Sequence, residues 1–266
     1  MDKPNTTILV IDIGNTNTVL GLYQGDSLRA LWRLATNREQ TADEYGVVIH
    51  NLFALEKLSA ADISGIMIAS VVPPMDSVLA ETARKYFKME AQFLGPGTRT
   101  GMAILVDTPQ EVGADRVADA VAAYEKYGAP CIVVDLGTAI TFDCISAKGE
   151  YLGGVIMPGI GIAAEALFQR AAKLPRVEIR EPDRVIGTNT INSMQSGLFY
   201  GAVDSIDGML DRLSKVLGKQ TKVIATGGQA PLVAGASKYK PTIDSSLTLD
   251  GLRIIYHRNQ STPRRK

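Results

Sequence analysis

Cysteine and histidine are scarce in this sequence: two of each in 266 residues, Cys131, Cys144, His50 and His257. There is no CxxC pair and no Cys/His cluster, so zinc chemistry lacks its ligands. Both cysteines fall in strand-like apolar runs and read as buried, reduced thiols. His50 falls in a helical stretch and reads as structural. An excess of one charge is also missing, because 28 Lys and Arg balance 28 Asp and Glu. Nothing in that balance points to a nucleic-acid surface. No apolar run reaches the roughly 20 residues that span a bilayer, and Met1-Asp2-Lys3-Pro4 does not open a signal peptide. A cytoplasmic protein without nucleic-acid or membrane partners is expected. The short basic end, Arg264-Arg265-Lys266, reads as frayed. The parts of a serine hydrolase are absent, and so are a GxxxxGK[ST] phosphate loop and any Pro/Ser-rich linker.

The most informative stretch is Ile8 to Gly21, ILVIDIGNTNTVLG. An apolar run stops at Asp12. Gly14 permits a tight turn, Asn15 to Thr18 supply short hydrogen-bonding side chains, and the chain turns apolar again at Val19. Strand, polar turn, strand can aim backbone N–H groups and hydroxyls at an anion. A single such turn can equally be an ordinary hairpin. A second copy, IVVDLGTAIT at Ile132 to Thr141, favours the anion reading. Asp135, Gly137 and Thr141 stand 123 positions after Asp12, Gly14 and Thr18. Two related halves, 1–127 and 128–266, with facing polar turns would suit a nucleotide cleft.

Between these turns the chain alternates helices and strands, which predicts an α/β fold with mixed sheets. Thr41-Ala42-Asp43-Glu44 reads as a capping box ahead of the stripe Tyr45, Val48, Ile49, Leu52, Phe53. Thr108, Pro109 and Glu111 read as a second helix start. Asp115 and Arg116 then open a helical run to Tyr127, where an acid can be a plain helix-end charge. A long helix is expected from about Thr190 to Leu217. Its Gly197 and Gly201, four apart, predict close packing on another helix, across a subunit interface among other options. Thr226-Gly227-Gly228 ends a strand in small residues that let backbone approach a flat base. Gly159 to Ala164 fits a loose GxGxxA, with Glu178 and Glu181 near the spacing of a dinucleotide site's acid.

Taken in order, DIGNTNT (Asp12–Thr18), DLGT (Asp135–Thr138) and ATGG (Ala225–Gly228) resemble the phosphate and adenosine turns of the acetate and sugar kinase/heat-shock chaperone/actin superfamily. EVGADR (Glu111–Arg116), GGVIMPGI (Gly153–Ile160), LPRV (Leu174–Val177) and NTINSMQSG (Asn189–Gly197) narrow the resemblance to type III pantothenate kinases. It implies duplicated ribonuclease H-like domains and ATP-dependent phosphorylation of the terminal hydroxyl of pantothenate, the first step toward coenzyme A. It further implies Asp115 as general base, Arg116 on the pantothenate carboxylate, and Gly113 and Ala114 lining the same pocket. Asp12, Ile13, Gly14, Asn15, Thr16, Asn17, Thr18 and Val19 would surround the ATP phosphates, with Thr138 and Gly227 as further ATP contacts. Because the first turn carries no lysine, Mg²⁺ would supply most of the counter-charge, oriented by Asp12 through water. Asp135 would hold a monovalent cation, K⁺ or NH₄⁺. Thr190 would reach substrate across a homodimer interface. One departure is Val106, where many members carry tyrosine. A non-catalytic ATP-binding protein on the same fold, or a kinase for another hydroxy acid or sugar, are the alternatives.

Overall fold

The uninterrupted apolar run Ile8–Ile11 fills the middle of β1 (Thr7–Ile13) in the computed structural model, which describes residues 6–260. Met1 to Pro4 and the basic end Arg264 to Lys266 lie outside the described residues. β2 (Asn17–Gln24) and β3 (Ser27–Ala35) follow β1 as an antiparallel meander. After α1 (Ala42–Leu55), β4 (Gly65–Ser70) pairs parallel with the other side of β1. After α2 (Pro73–Phe87), β5 (Gln92–Phe93) pairs parallel with β4, giving the order β3-β2-β1-β4-β5. A central strand covered on both faces needs apolar side chains pointing both ways, so β1 does not alternate. On one face Leu9, Ile11, Ile13, Leu20 and Leu22 meet Tyr45, Ile49 and Phe53 of α1 and Met75 and Leu79 of α2. α1 begins where the sequence predicts. Glu44 N–H donates to Thr41 Oγ1 at 3.3 Å and Thr41 N–H donates to Glu44 Oε2 at 2.7 Å.

The second predicted capping box does not form. Pro109–Glu111 is a single 3₁₀ turn, and the Thr108 hydroxyl bonds the Glu111 carboxylate at 2.9 Å instead of a backbone N–H. Gly113 then separates this turn from α3 (Ala114–Tyr127).

The second sheet repeats the first strand for strand. β6 (Cys131–Leu136), β7 (Ala139–Ile145) and β8 (Tyr151–Pro158) form the meander. α4 (Ile160–Arg170) and α5 (Thr190–Leu217) precede β9 (Lys222–Thr226), which pairs parallel with β6. After α6 (Ala230–Ala234), β10 (Thr242–Ile243) pairs parallel with β9. The order β8-β7-β6-β9-β10 has the same topology as β3-β2-β1-β4-β5. Ile132, Val134, Leu136 and Phe142 pack on Phe199, Val203 and Ile206 of α5. The fixed 123-residue offset holds only as far as the turn glycine. Thr18 lies opposite Ile13, whereas Thr141 lies opposite Asp135, so the second turn is one residue tighter and Thr141 corresponds to Val19.

α7 (Leu247–Gln260) returns to the first sheet. Division of the sequence at 127/128 puts this helix with the second half. Its buried stripe, Leu249, Leu252, Ile255 and Tyr256, instead covers the free face of β1 and β2, where Gly21 leaves room for Leu249. Tyr23 donates to Asp250 Oδ1 at 2.7 Å. The first compact unit thus joins the chain up to Gly101, Thr108–Ala122 and α7, and the second joins Met102–Asp107 with Ala123–Ser246. At Gly251 a Cβ would stand 2.0 Å from the Ala118 carbonyl oxygen. Gly251→Ala is therefore expected to cost about 1–3 kcal/mol, read as a lower denaturant midpoint at unchanged slope.

The loose GxGxxA stretch is not a dinucleotide site. The strand before it, β8, is an antiparallel edge strand rather than the first strand of a βαβ unit, and Glu178 and Glu181 lie in irregular chain. Both cysteines are buried and reduced, and burial pushes the Cys131 thiol up to about 12. His50 is exposed on α1 with its ring beside Tyr86 and Phe87.

Candidate active site

In the first unit the polar turn sits at the carboxyl end of β1. Gly14 N–H donates to the Asn17 carbonyl at 2.9 Å and closes it. Asn15 and Thr16 are exposed at its tip, while Ile13 and Thr18 are fully buried at its base. Ile13 can therefore meet a ligand only through its backbone. Asp12 and Val19 face each other across the β1–β2 ladder just below. Thr36 braces the turn from β3's exit: its hydroxyl donates to the Gly14 carbonyl at 2.8 Å and lies 3.0 Å from the Thr18 hydroxyl. Motif reading passes over Thr36, because nothing in the linear spacing marks a residue 22 positions downstream as part of the turn.

The GADR segment reaches the same end of the first sheet. Val71, the residue after β4, donates its N–H to the Ile13 carbonyl at 3.1 Å. The Gly113 α-carbon lies beside it, since a Cβ there would be 3.6 Å from Val71 Cγ1 and only 2.4 Å from Asp115 Oδ1. Gly113 thus leaves the space that the Asp115 carboxylate fills. Asp115 is in the first turn of α3, half-buried, and accepts the Arg116 N–H at 2.8 Å. Burial raises its pKa, and the neighbouring Arg116 N–H and guanidinium oppose this only in part. Carboxyl ends of adjacent parallel strands are where α/β sheets bind ligands.

In the second unit the turn Gly137-Thr138 is gripped from two sides. A Cβ on Gly159 would stand 2.2 Å from the Thr138 carbonyl oxygen and 2.7 Å from that of Gly137. A Cβ on Gly227, whose φ is +88°, would stand 2.3 Å from Asp135 Oδ1 and 2.7 Å from the Leu136 backbone. Gln229 N–H donates to the Leu136 carbonyl at 3.1 Å. Asp135, Thr138 and Gly227 are therefore one cluster, and Gly159, the first glycine of the loose GxGxxA stretch, packs against the same turn. Among the described residues no group of three His, Cys, Asp or Glu side chains gathers as a metal site. Mg²⁺ at a phosphate site keeps most of its waters and takes one or two carboxylates; Asp12, half-buried at the carboxyl end of β1, is the carboxylate beside the first turn.

Thr190 is elsewhere in the second unit. It is exposed at the start of α5, after Asn189, whose Oδ1 accepts the Asn192 N–H at 2.9 Å. Together with Leu167, Leu174, Ser193, Met194 and Gly197 it lines an open cavity of ≈ 650 Å³ that includes no residue of the second turn. Gly197 and Gly201 are exposed, and nothing described lies within 4 Å of a Cβ built on either. The close packing expected at these glycines is not with another helix of the described chain.

Two sheets of identical topology, each with a polar turn after its first strand, define a duplicated ribonuclease H-like, actin-like fold. Two solved structures share it: a protein described as a Baf family transcriptional activator from Campylobacter jejuni and Lmo2764 from Listeria monocytogenes, described as an N-acetylmannosamine kinase. The first has a TM-score of 0.60 at 22% identity, covering 96% of this chain and 100% of that one. The second has 0.52 at 12% identity, covering 96% and 99%. The family description "Type III pantothenate kinase" matches residues 8–212. The Type III pantothenate kinase of Koribacter versatilis is 55% identical over 97% of this chain and 98% of its own length. The chain belongs to the type III pantothenate kinase family.

Proposed function

We infer that the chain transfers the γ-phosphoryl group of ATP to the terminal hydroxyl of pantothenate, the first step toward coenzyme A. The observation that carries the site assignment is the half-buried Asp115 beside the carboxyl ends of β1 and β4, at the same end of the sheet as the phosphate turn. Asp115 accepts the hydroxyl proton as that oxygen attacks phosphorus, and Arg116 holds the pantothenate carboxylate with its planar fork. Gly113 and Ala114 shape the same pocket. The first turn, Asp12 to Val19, cradles the phosphates, and Thr138 and Gly227 serve as further ATP contacts. Asp12 would hold Mg²⁺, through water. Mg²⁺ supplies charge neutralisation when bound, and the turns supply position.

Asp135 would hold a monovalent cation, K⁺ or NH₄⁺. Activity in K⁺ buffer is expected to fall sharply when Na⁺ replaces K⁺ at constant ionic strength, and equal rates in both would remove this role from Asp135. Thr190, which lines a cavity that includes no residue of the second turn, serves the partner subunit's substrate in a homodimer. The open α5 face at Gly197 and Gly201 supports that reading. Thr190→Ala is expected to raise KM for pantothenate and leave KM for ATP unchanged. Sedimentation that finds a fully active monomer would contradict the shared site. No described helix is long and apolar enough to cross a membrane, and a cytoplasmic dimer is the working state.

A further inference from the structure

The first phosphate turn has no cation of its own, but the fold brings one to it. β3 ends at Ala35, and the chain then crosses back over the turn. Thr36 N–H donates to the Thr16 carbonyl at 2.9 Å and the Thr36 hydroxyl holds the Gly14 carbonyl at 2.8 Å. Asn37 closes the next turn: its carbonyl accepts the Gln40 N–H at 3.2 Å and its Oδ1 accepts the Glu39 N–H at 3.0 Å. The capping box at Thr41 follows directly. Arg38 is thus fixed through its backbone between two anchored residues. Its guanidinium donates to Asn15 Oδ1, at the tip of the phosphate turn, at 2.9 Å.

That tether is weak for an arginine. Asn15 is neutral, both side chains are exposed, and Arg38 makes no ion pair among the described residues. The carboxylates of the adjoining helix start are occupied: Asp43 takes Lys85 and Tyr86, and Glu44 takes Thr41. A guanidinium has five donors and forms its strongest bonds, in pairs, with phosphate or carboxylate oxygens. Exchange of one neutral amide oxygen for two anionic oxygens is favourable wherever phosphate occupies the turn.

We propose that Arg38 is a phosphate-binding residue of the ATP site, held over the first turn by Asn15 and transferred to the terminal phosphate oxygens of ATP when the nucleotide binds. It supplies the side-chain counter-charge that the motif itself lacks, beside Mg²⁺. This rests on the reading of Asp12 to Val19 as the phosphate turn.

The test is ligand-observed NMR titration of Mg·ATP and of adenosine against wild type, Arg38→Ala, Arg38→Lys and Asp12→Asn, with melting temperatures alongside. Arg38→Ala is expected to weaken ATP by about ten- to a hundredfold, the effect of one charge-assisted contact. Adenosine affinity and the melting temperature stay at wild-type values, and Arg38→Lys recovers part of the loss. In turnover the Arg38→Ala effect appears in KM for ATP, while KM for pantothenate is unchanged. ATP affinity equal to wild type in Arg38→Ala, or an equal loss for adenosine, overturns the proposal. The Asp12→Asn protein separates the two premises. If it loses Mg·ATP and Arg38→Ala does not, Arg38 alone is misassigned; if both bind Mg·ATP normally, the turn is not the phosphate site.

Discussion

Asp115→Asn is expected to lower kcat by about 10²–10⁴-fold, the usual contribution of a positioned general base, while ATP binding stays at the wild-type level. The substitution keeps the shape of the side chain, and its amide oxygen can still accept the Arg116 N–H that Asp115 accepts at 2.8 Å. What it removes is the proton acceptor. Burial raises the Asp115 pKa, so the acid limb of the wild-type kcat/KM profile lies above the ordinary aspartate value of about 3.9, and that limb is absent from the residual activity of the Asp115→Asn variant. The stability effect runs the other way. A folded carboxyl that holds its proton more tightly than the unfolded one costs stability as pH rises through its unfolded pKa, and the cost is complete above the folded pKa. At neutral pH Asp115→Asn therefore melts at or above the wild-type temperature. Stopped-flow or coupled assay together with calorimetry checks both halves. Turnover near the wild-type rate would take the base role away from Asp115, and a lower melting temperature would make it a structural residue.

Gly227→Ala is the second large effect. The residue has φ +88°, and a Cβ would collide with Asp135 Oδ1 at 2.3 Å and with the Leu136 backbone at 2.7 Å. A left-handed non-glycine residue costs about 1–3 kcal/mol, and overpacking costs about 1–3 kcal/mol more. The Leu136 backbone cannot swing aside as a side-chain tip can, so relief must come from moving the second turn, and with it the Asp135 carboxylate. Both ATP affinity and the response to K⁺ are expected to fall with stability. Gly228→Ala is the control, since nothing lies within 4 Å of a Cβ there; it should stay within about 0.5 kcal/mol of wild type. Equal, small effects at both positions would mean that the close approach at Gly227 is not needed for nucleotide binding.

Local chemistry was legible in the sequence wherever one short segment determines its own structure. The Thr41–Glu44 box, the turn after β1 and the glycine-led strand end at Gly227 all form as their residues require. The repeat was legible at Asp12/Asp135 and Gly14/Gly137, but a shared offset cannot show that the second turn is a residue tighter, because ladder register is set by pairing across strands. The return of α7 to the first sheet left no linear signal: its apolar stripe fits any sheet face, and only the open face beside Gly21 decides the matter. Thr36 and Arg38 were missed for the same reason, since a meander and not a motif brings them to the turn. The Thr108–Glu111 pattern misled because the Thr108 backbone (ψ 81°) lacks the extended geometry of the Thr41 cap (ψ 165°), which residue types alone do not reveal.

The most direct test of the whole assignment is product identity. Purified protein, Mg·ATP and pantothenate are incubated in K⁺ buffer, and the products are resolved by mass and phosphorus NMR. The expected result is 4'-phosphopantothenate and ADP in equal amounts, with the phosphate on the terminal hydroxyl. ATP bound or hydrolysed with no phosphorylated pantothenate would contradict the assignment and leave the fold with another acceptor.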